Sequence, residues 1–464
     1  MKIAMEKLCM VFSRAFDVIE NEQLGASENH SLRVAVLCIA MGKKLGYDDD
    51  TLSAIATCAM FHDCALTEYH LSLEEGDEQE INMILHCKKG QEHVSWLPFK
   101  TNIDKFILYH HERGDGSGPY GKKEHEIPME AAIIAAADAV DADFHLQFIS
   151  AGELPELHDI VASAPNEYST EAAIKLLLDV LDEDMLEQLS DESIYQTIER
   201  VLPSWEVELS DPKVLFIGEF IARVIDYKSV YTHLHTSQIA NRAWIMSGYY
   251  GYGPEEQNAL FLAASLHDIG KISTPTEILE KPGRLDEEEF FVIKQHVKNT
   301  LDWLSTIPNF DKIRHWAADH HEKLDGTGYP RGITDSALEF NVRLITCLDI
   351  YQALGEPRPY HKPRTHEETM KILGEMSEKG YVDPVIVDDL DKVMAKYEMW
   401  SIPSPVSDLR QPKLRMQGAK YDGIPEGYRC IACGYMHKGD TLPDDLICPT
   451  CGHNVSYFTK IPGG

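Results

Sequence analysis

Residues 320–330 read HHEKLDGTGYP, and residues 110–120 read HHERGDGSGPY. Each stretch is preceded by a His-Asp pair and a lone His and followed by an Asp. These are His267-Asp268, His296 and Asp349 in the later copy, and His62-Asp63, His86 and Asp138 in the earlier one. A further histidine opens each series, His235 and His30, and the paired histidines of the quoted stretches, His320-His321 and His110-His111, complete it. Matching positions lie 205 apart at the first His and at the His-Asp, 210 apart at the next two, and 211 apart at the last Asp. Small loop indels explain that drift, so the chain contains a duplicated domain. Each copy offers five His and two Asp. Imidazole nitrogen and carboxylate oxygen suit Mn, Fe or Zn better than Ca or Mg, and so many groups exceed what one ion takes. Two ions sharing the Asp of the His-Asp pair is the economical reading. A lone histidine on an apolar helix is usually structural, but two His-Asp pairs, each followed by HHExxDG at matched distance, are not accounted for in that way.

The chain has 464 residues, 44% of them hydrophobic, which allows two or three domains with sizeable cores. No apolar run approaches a membrane span, and MKIAMEKLCMVFSRAF lacks a continuous apolar stretch and a cleavage site, so a soluble, cytoplasmic protein with no membrane partner is expected. A formal net charge of −33 argues against polymeric nucleic acid as a partner, because such binding draws on many Lys and Arg contacts to phosphate. A small phosphate ligand held by metal ions is compatible with it. Of the ten cysteines, four lie in paired CxxC units near the C-terminus; Cys9, Cys38, Cys58, Cys64, Cys87 and Cys347 are scattered, and reduced thiols are expected there.

Helical periodicity dominates, as in SLRVAVLCIAMGKKLGY and ALFLAASLHDIGKI, where apolar residues recur at three and four. The expected organisation is a first copy over 1–165, a helical connector over 166–210 with a solvated acidic face, a second copy over 211–400, a Pro-containing linker over 401–427 and a small module over 428–464.

LHDIGKIS, ILEKPGRLDEEEFFVIKQH, HHEKLDGTGYP and RPYHK at 358–362 together resemble the HD-GYP phosphodiesterases, a branch of the HD superfamily that hydrolyses cyclic di-GMP. The resemblance covers about 150 residues and implies a helical bundle with a binuclear or trinuclear metal centre, commonly iron or manganese; with the duplication, the expected fold is all-α, a tandem of HD helical bundles. It makes His235, His267, Asp268, His296, His320, His321 and Asp349 the ligands of two Fe or Mn ions, with Asp268 bridging. Some family members recruit a third ion through a carboxylate four residues before the first His; this chain has Tyr231 there, so two ions are expected. Such a pair would lower the pKa of a bridging water to give hydroxide and neutralise the phosphoryl oxygens during in-line displacement. Lys271, one turn beyond Asp268, is expected to contact the scissile phosphate, with Lys271 and Asp268 as the catalytic residues. Tyr329, in the GYP loop, together with Arg358 and Lys362, would meet the substrate, and the loop itself would serve partner proteins such as a diguanylate cyclase. One departure stands out: where the family continues its last metal Asp with a pattern like VFDAL, this chain has Asp349-IYQAL, so Gln352 replaces an Asp.

The earlier copy keeps all seven candidate ligands, His30, His62, Asp63, His86, His110, His111 and Asp138, for one or two ions. It has Leu66 where the lysine belongs, Gly118-Pro119-Tyr120 in place of GYP, and no RPY. A metal-loaded regulatory domain and a second enzyme of different substrate both fit that pattern. Cys64 and Cys87, beside expected ligands, are candidates for redox sensitivity. At the C-terminus, Cys430, Cys433, Cys448 and Cys451 form two CxxC units, a strong tetrahedral S₄ signal. Their wording, CxxCGY and LPDDxxCPxCG, resembles rubredoxin in shortened form, implying a three-stranded β unit around one Fe, or Zn, and through iron a redox partner. A redox-regulated cyclic di-GMP phosphodiesterase yielding pGpG or GMP is the leading reading. A di-iron HD-type oxygenase fed by the rubredoxin-like module and a non-catalytic cyclic-dinucleotide receptor are the alternatives.

Overall fold

SLRVAVLCIAMGKK carries apolar or small residues on every side, and the helix His30–Lys44 is buried continuously from His30 to Ile39. A helix apolar all round belongs at the centre of a bundle. Its counterpart, His235–Tyr249, is buried from His235 through Ala243. The computed structural model describes residues 1–66, 83–228, 234–281, 283–356, 363–397 and 402–406, together with 427–430, 436–438, 441, 443, 446 and 458–461.

Around His30–Lys44 pack Met5–Leu24, Asp49–Met60 and Met129–Phe144, and Met83–Val94 buries His86, Gly90 and Val94, with Gly90 close to Ile107 and the His62 carbonyl. In the second bundle, His235–Tyr249 packs against Lys213–Tyr227, Pro254–Leu266 and Phe340–Gly355, with Glu287–Leu304 and Asp311–Ala318 beside them. The expected all-α architecture is thus present in both copies. Helix starts follow local chemistry: Asp48 accepts from the Thr51 amide, and Asp286 with Glu289 forms a capping box. The connector helices Glu171–Val180 and Ile194–Val201 lay their apolar faces on the first bundle, and His366–Glu378 and Pro384–Met394 pack on the second.

The bundles share one core. Phe16, Phe61 and Phe220 form an aromatic cluster with centroids 5.2 to 5.9 Å apart, and Trp96 meets Phe216 edge-on at 4.9 Å. A short antiparallel ribbon, Lys2–Ala4 against Glu206–Glu208, was not foreseen; it ties the start of the chain to the end of the connector, in register Ile3 to Val207. Near the C-terminus, Gly427–Cys430 lies between Met436–Lys438 and Phe458–Ile461, both antiparallel, giving the three-stranded unit expected of a rubredoxin-like module. Among the described residues no helix is long and apolar enough to cross a membrane.

Candidate metal centres

The helix Pro254–Leu266 ends just before His267, and the chain continues as a tight 3₁₀ turn, Ile269–Ser273. Such a turn eclipses residues three apart, so Lys271 returns over Asp268 and its Nζ donates to Asp268 Oδ2. Lys271 thus lies one turn beyond Asp268, and that turn is 3₁₀. Gly270 is required there, because a Cβ would overlap the His296 carbonyl of the adjacent helix, while its amide donates to Thr300 Oγ1 at 3.1 Å. The first copy reverses this contact: Ala65 takes the glycine's place and faces Gly90 on the opposite helix. Gly270→Ala is expected to destabilise the fold by about 1–3 kcal/mol or more, as overpacking does, and to shift a ligand-bearing helix. Thermal melting beside a metal count reads both effects.

Burial and tethering set the histidines. Nδ1 of His267, His296 and His320 lies 2.7, 2.6 and 2.6 Å from the carbonyls of Ala264, Ile293 and Ala317, which places the proton on that nitrogen and turns Nε2 inward. His62 and His110 are held identically by Ala59 and Ile107, at 2.8 and 2.6 Å. The helix carrying His235 is capped by buried Asp226, which accepts from the Thr236 and Ser237 amides and from Ser237 Oγ; Asp17 does the same for Ser31 in the first copy. Burial raises Asp226 to about 7 against those hydrogen bonds.

The ligands fall into two groups, His235 with His267 and Asp268, and His296 with His320 and His321, each with ligand atoms within 4.8 Å of one another. Asp268 lies between them: Oδ2 is 3.2 Å from His267 Nε2 and 3.6 Å from His235 Nε2, while Oδ1 is 3.4 Å from His296 Nε2 and 3.8 Å from His320 Nε2. Asp349 also reaches both sides, 3.2 Å to His235 Nε2 and 3.8 Å to His321 Nδ1. Burial alone would raise Asp268, but His267, Lys271 and His296 hold it well below the usual carboxylate range. Burial pushes His296 down to about 3 and His321 to about 4, leaving both neutral with lone pairs available. Burial would also lower His235, yet Glu356 and Asp349 lift it to about 10. Nε2 of His235 and of His267 and Oδ1 of Asp268 are buried without a hydrogen-bond partner. Inward-facing ligand atoms left without hydrogen bonds in this way fit a pair of divalent cations.

The first copy repeats the arrangement. Asp63 lies 3.0 Å from His86 Nε2 and 3.8 Å from His110 and His62, and Asp138 lies 3.2 Å from His30, 3.4 Å from His62 and 4.0 Å from His111. It also contains a group the sequence did not reveal: Glu20, 4% exposed, sits 3.6 Å from His30 Nε2, with Oε2 unpartnered. Glu20 joins His30 and His62 in one potential ligand set, with Asp63, His86, His110 and His111 forming the other. Leu66 is buried in the lysine's place. Cys64 and Cys87 are buried, and burial pushes the Cys87 thiol up to about 12, which makes it a poor redox sensor at neutral pH.

The paired histidines are followed by a buried glutamate whose role also went unread. Glu322 accepts from the amides of Arg331, Gly332 and Ile333, and Glu112 from those of Tyr120 and Lys122. These bonds staple the loop that follows. A Cβ at Gly328 or Gly118 would run into the backbone of the HHE turn beneath it. Gly118-Pro119-Tyr120 does not superpose residue for residue on GYP: hydrogen bonding places Tyr120 at the position of Arg331, because the first loop is one residue shorter. The Tyr329 ring lies 4.8 Å from that of His321, tilted by 34°, whereas Tyr120 turns to Tyr109 and to the Ile84 carbonyl. Arg358, Lys362 and Tyr231 lie outside the described residues, as do Cys433, Cys448, Cys451 and the side chain of Cys430.

Known proteins resemble this chain in all three parts. Profiles described as HD domain match residues 28–143 and 221–386, and one described as rubrerythrin, rubredoxin-like domain matches 428–459. The 3′3′-cGAMP-specific phosphodiesterase 1 of Vibrio cholerae is 28% identical, over 84% of this chain and 92% of its own length. The cyclic di-GMP phosphodiesterase response regulator RpfG of Xanthomonas campestris is 33% identical over 38% of this chain and 47% of its own. A crystal structure of a cyclic GMP-AMP specific phosphodiesterase from V. cholerae superposes with a TM-score of 0.59 at 19% identity, covering 86% of this chain and 99% of the other. That likeness establishes the tandem fold.

Proposed function

We propose that this chain, which belongs to the HD-GYP family of HD-domain proteins, hydrolyses a cyclic dinucleotide at its second HD copy. The observation that carries the reading is Asp268, whose two oxygens each face one group of histidine nitrogens while Lys271 sits on the same carboxylate. His235, His267, Asp268, His296, His320, His321 and Asp349 would hold two divalent cations, Fe or Mn. When bound, these supply Lewis-acid polarisation of the phosphoryl oxygens and a lowered pKa for a coordinated water. The chain's own residues do the rest. The tethered imidazoles keep their Nε2 lone pairs aimed inward, so little reorganisation accompanies binding. Lys271, about a fifth exposed, is near enough to the cluster to leave Asp268 for an anionic oxygen. Tyr329 covers His321, and Glu322 fixes the loop that carries it.

The substrate class is the guanine-containing cyclic dinucleotides, with a linear dinucleotide or mononucleotides as products. Cyclic di-GMP is the reading from the motifs. 3′3′-cGAMP is supported by two relatives named for it that match 84% and 69% of this chain; a third so named matches 36%, close to the 38% and 36% of RpfG and the cyclic di-GMP phosphodiesterase of Thermotoga maritima. Anaerobic kcat/KM for the two nucleotides, with product analysis, decides between them. Saturable binding without product would favour the receptor alternative, and oxygen consumption without phosphodiester cleavage the oxygenase.

For the first copy, absence of the lysine supports regulation over rapid hydrolysis. The helix Met5–Leu24 supplies Asp17 and Glu20 to the first site and lays Phe12, Ala15 and Phe16 near Ile269 and Ile272 of the second copy's His-Asp turn. An ion held by Glu20 would therefore bear on the catalytic turn through one rigid helix. Glu20→Gln is expected to lower metal retention in the first copy and to change turnover at the second; unchanged metal and unchanged rate would remove the link. The rubredoxin-like module, through one Fe in its four cysteines, suggests redox control, and turnover should then differ between oxidised and reduced protein. Equal rates would count against it.

A further inference from the structure

The first histidine of each copy is oriented by a different set of residues. In the first copy, His30 Nδ1 lies 2.6 Å from Asp141, and Arg33 Nε donates to both Asp141 oxygens at 2.9 and 3.0 Å. Arg33 and Asp141 are fully buried. With the offsets of the repeat, Arg33 corresponds to Gln238 and Asp141 to Gln352, so the charged pair is absent from both original positions in the second copy. An arginine and a carboxylate reappear four residues further along the same two segments, as Arg242 and Glu356. Four residues is about one helical turn, which keeps each on nearly the same helix face.

The contacts follow the shift. His235 Nδ1 lies 3.0 and 3.1 Å from the two Glu356 oxygens. Gln352 Nε2 donates to Glu356 Oε1 at 2.7 Å, and Gln352 Oε1 accepts from Arg242 Nη1, which also lies 3.4 Å from Gln238 Oε1. Glu356 is 4% exposed, Gln352 1% and Arg242 fully buried. Buried charge is costly unless it is held, and here it is held in a chain that ends on a metal-facing imidazole.

We propose that Glu356 has taken over from position 352 the carboxylate that orients His235, with Gln352 converted into the link between Arg242 and Glu356. Glu356 is a positioning residue: it holds His235 Nδ1–H so that Nε2 faces the centre, as Asp141 does for His30. The proposal rests on reading the second copy as a metal centre. The loss of the Asp at 352 is then a relocation and not a defect.

The test uses the full chain, loaded anaerobically with Mn²⁺ and dialysed, with metal counted per chain and folding followed by circular dichroism. Asp268→Asn supplies the count for an emptied second centre. Glu356→Gln is expected to weaken second-centre retention about 10- to 100-fold, the range for lost support of a ligating histidine. The double variant Q352D/E356Q, which restores the first copy's arrangement, is expected to recover it; a merely structural loss of Glu356 would not be repaired by a carboxylate one turn away. Wild-type retention in folded Glu356→Gln overturns the proposal, as does a folded double variant that stays depleted. If wild type holds no more metal than Asp268→Asn, the metal-centre reading itself fails.

Discussion

Lys271→Ala is expected to lower turnover of the cyclic dinucleotide by about 10²- to 10³-fold, the cost of removing one well-placed donor to developing negative charge, while the metal content of the second copy stays near that of wild type. The 3₁₀ turn sets this expectation. It brings the Lys271 ammonium onto Asp268, the carboxylate between the two histidine groups, yet leaves the lysine partly exposed while Asp268 is buried. A group so placed can exchange an aspartate oxygen for a phosphate oxygen without repacking the core. Asp268 keeps four imidazoles within 4 Å when the lysine is gone, so the ligand set survives. Rate and metal count should therefore separate, and parallel loss of both would assign Lys271 a structural role. Leu66 offers the converse comparison: the first copy keeps its ligands with a buried leucine at that place and is expected to turn over cyclic dinucleotide slowly or not at all.

Asp268→Asn should do the opposite, losing metal and activity together. The amide keeps the shape but halves the acceptor oxygens and removes the charge, so one histidine group loses its shared anionic partner. Turnover is expected to fall on the order of 10⁴-fold or more, the scale seen when one member of a catalytic unit is removed. Metal analysis of the full chain should show the second centre depleted while the first copy and the cysteine module retain theirs. A fully loaded, active Asp268→Asn protein would show that Asp268 does not bridge.

Much of this site is legible in the sequence because ligand chemistry leaves few residue types to choose from and the duplication supplies an internal control. The seven candidate ligands of each copy converge as the spacing implied, and the apolar runs around them form the helices. The missed residues share one property: their side chains act on backbone or on other ligands, and their types are common. Glu112 and Glu322 were visible in HHE but had no evident task until their carboxylates were seen stapling the following loop. Glu20 lies on the helix before the first histidine, at a distance no motif encodes. Gln352 read as a lost aspartate because a compensating change one turn later is invisible without the rotation of the helix. The one-residue difference between the GYP loop and its counterpart was encoded in the step from 210 to 211, yet only the amide donors to Glu112 and Glu322 show which residue is missing. The ribbon formed by Lys2–Ala4 and Glu206–Glu208 is too short to leave a periodic signal, and its pairing is set by the packing of the helices that flank it.

The most direct test of the central claim is metal-dependent turnover by the full chain, stripped of metal and then resupplied anaerobically with Mn²⁺ or Fe²⁺, with 3′3′-cGAMP and cyclic di-GMP offered separately. The stripped protein is expected to give no product, linear dinucleotide or mononucleotide to appear as the second centre fills, and Asp268→Asn to give none under the same conditions. A second centre loaded with two ions that binds either nucleotide and releases no hydrolysis product would contradict that claim.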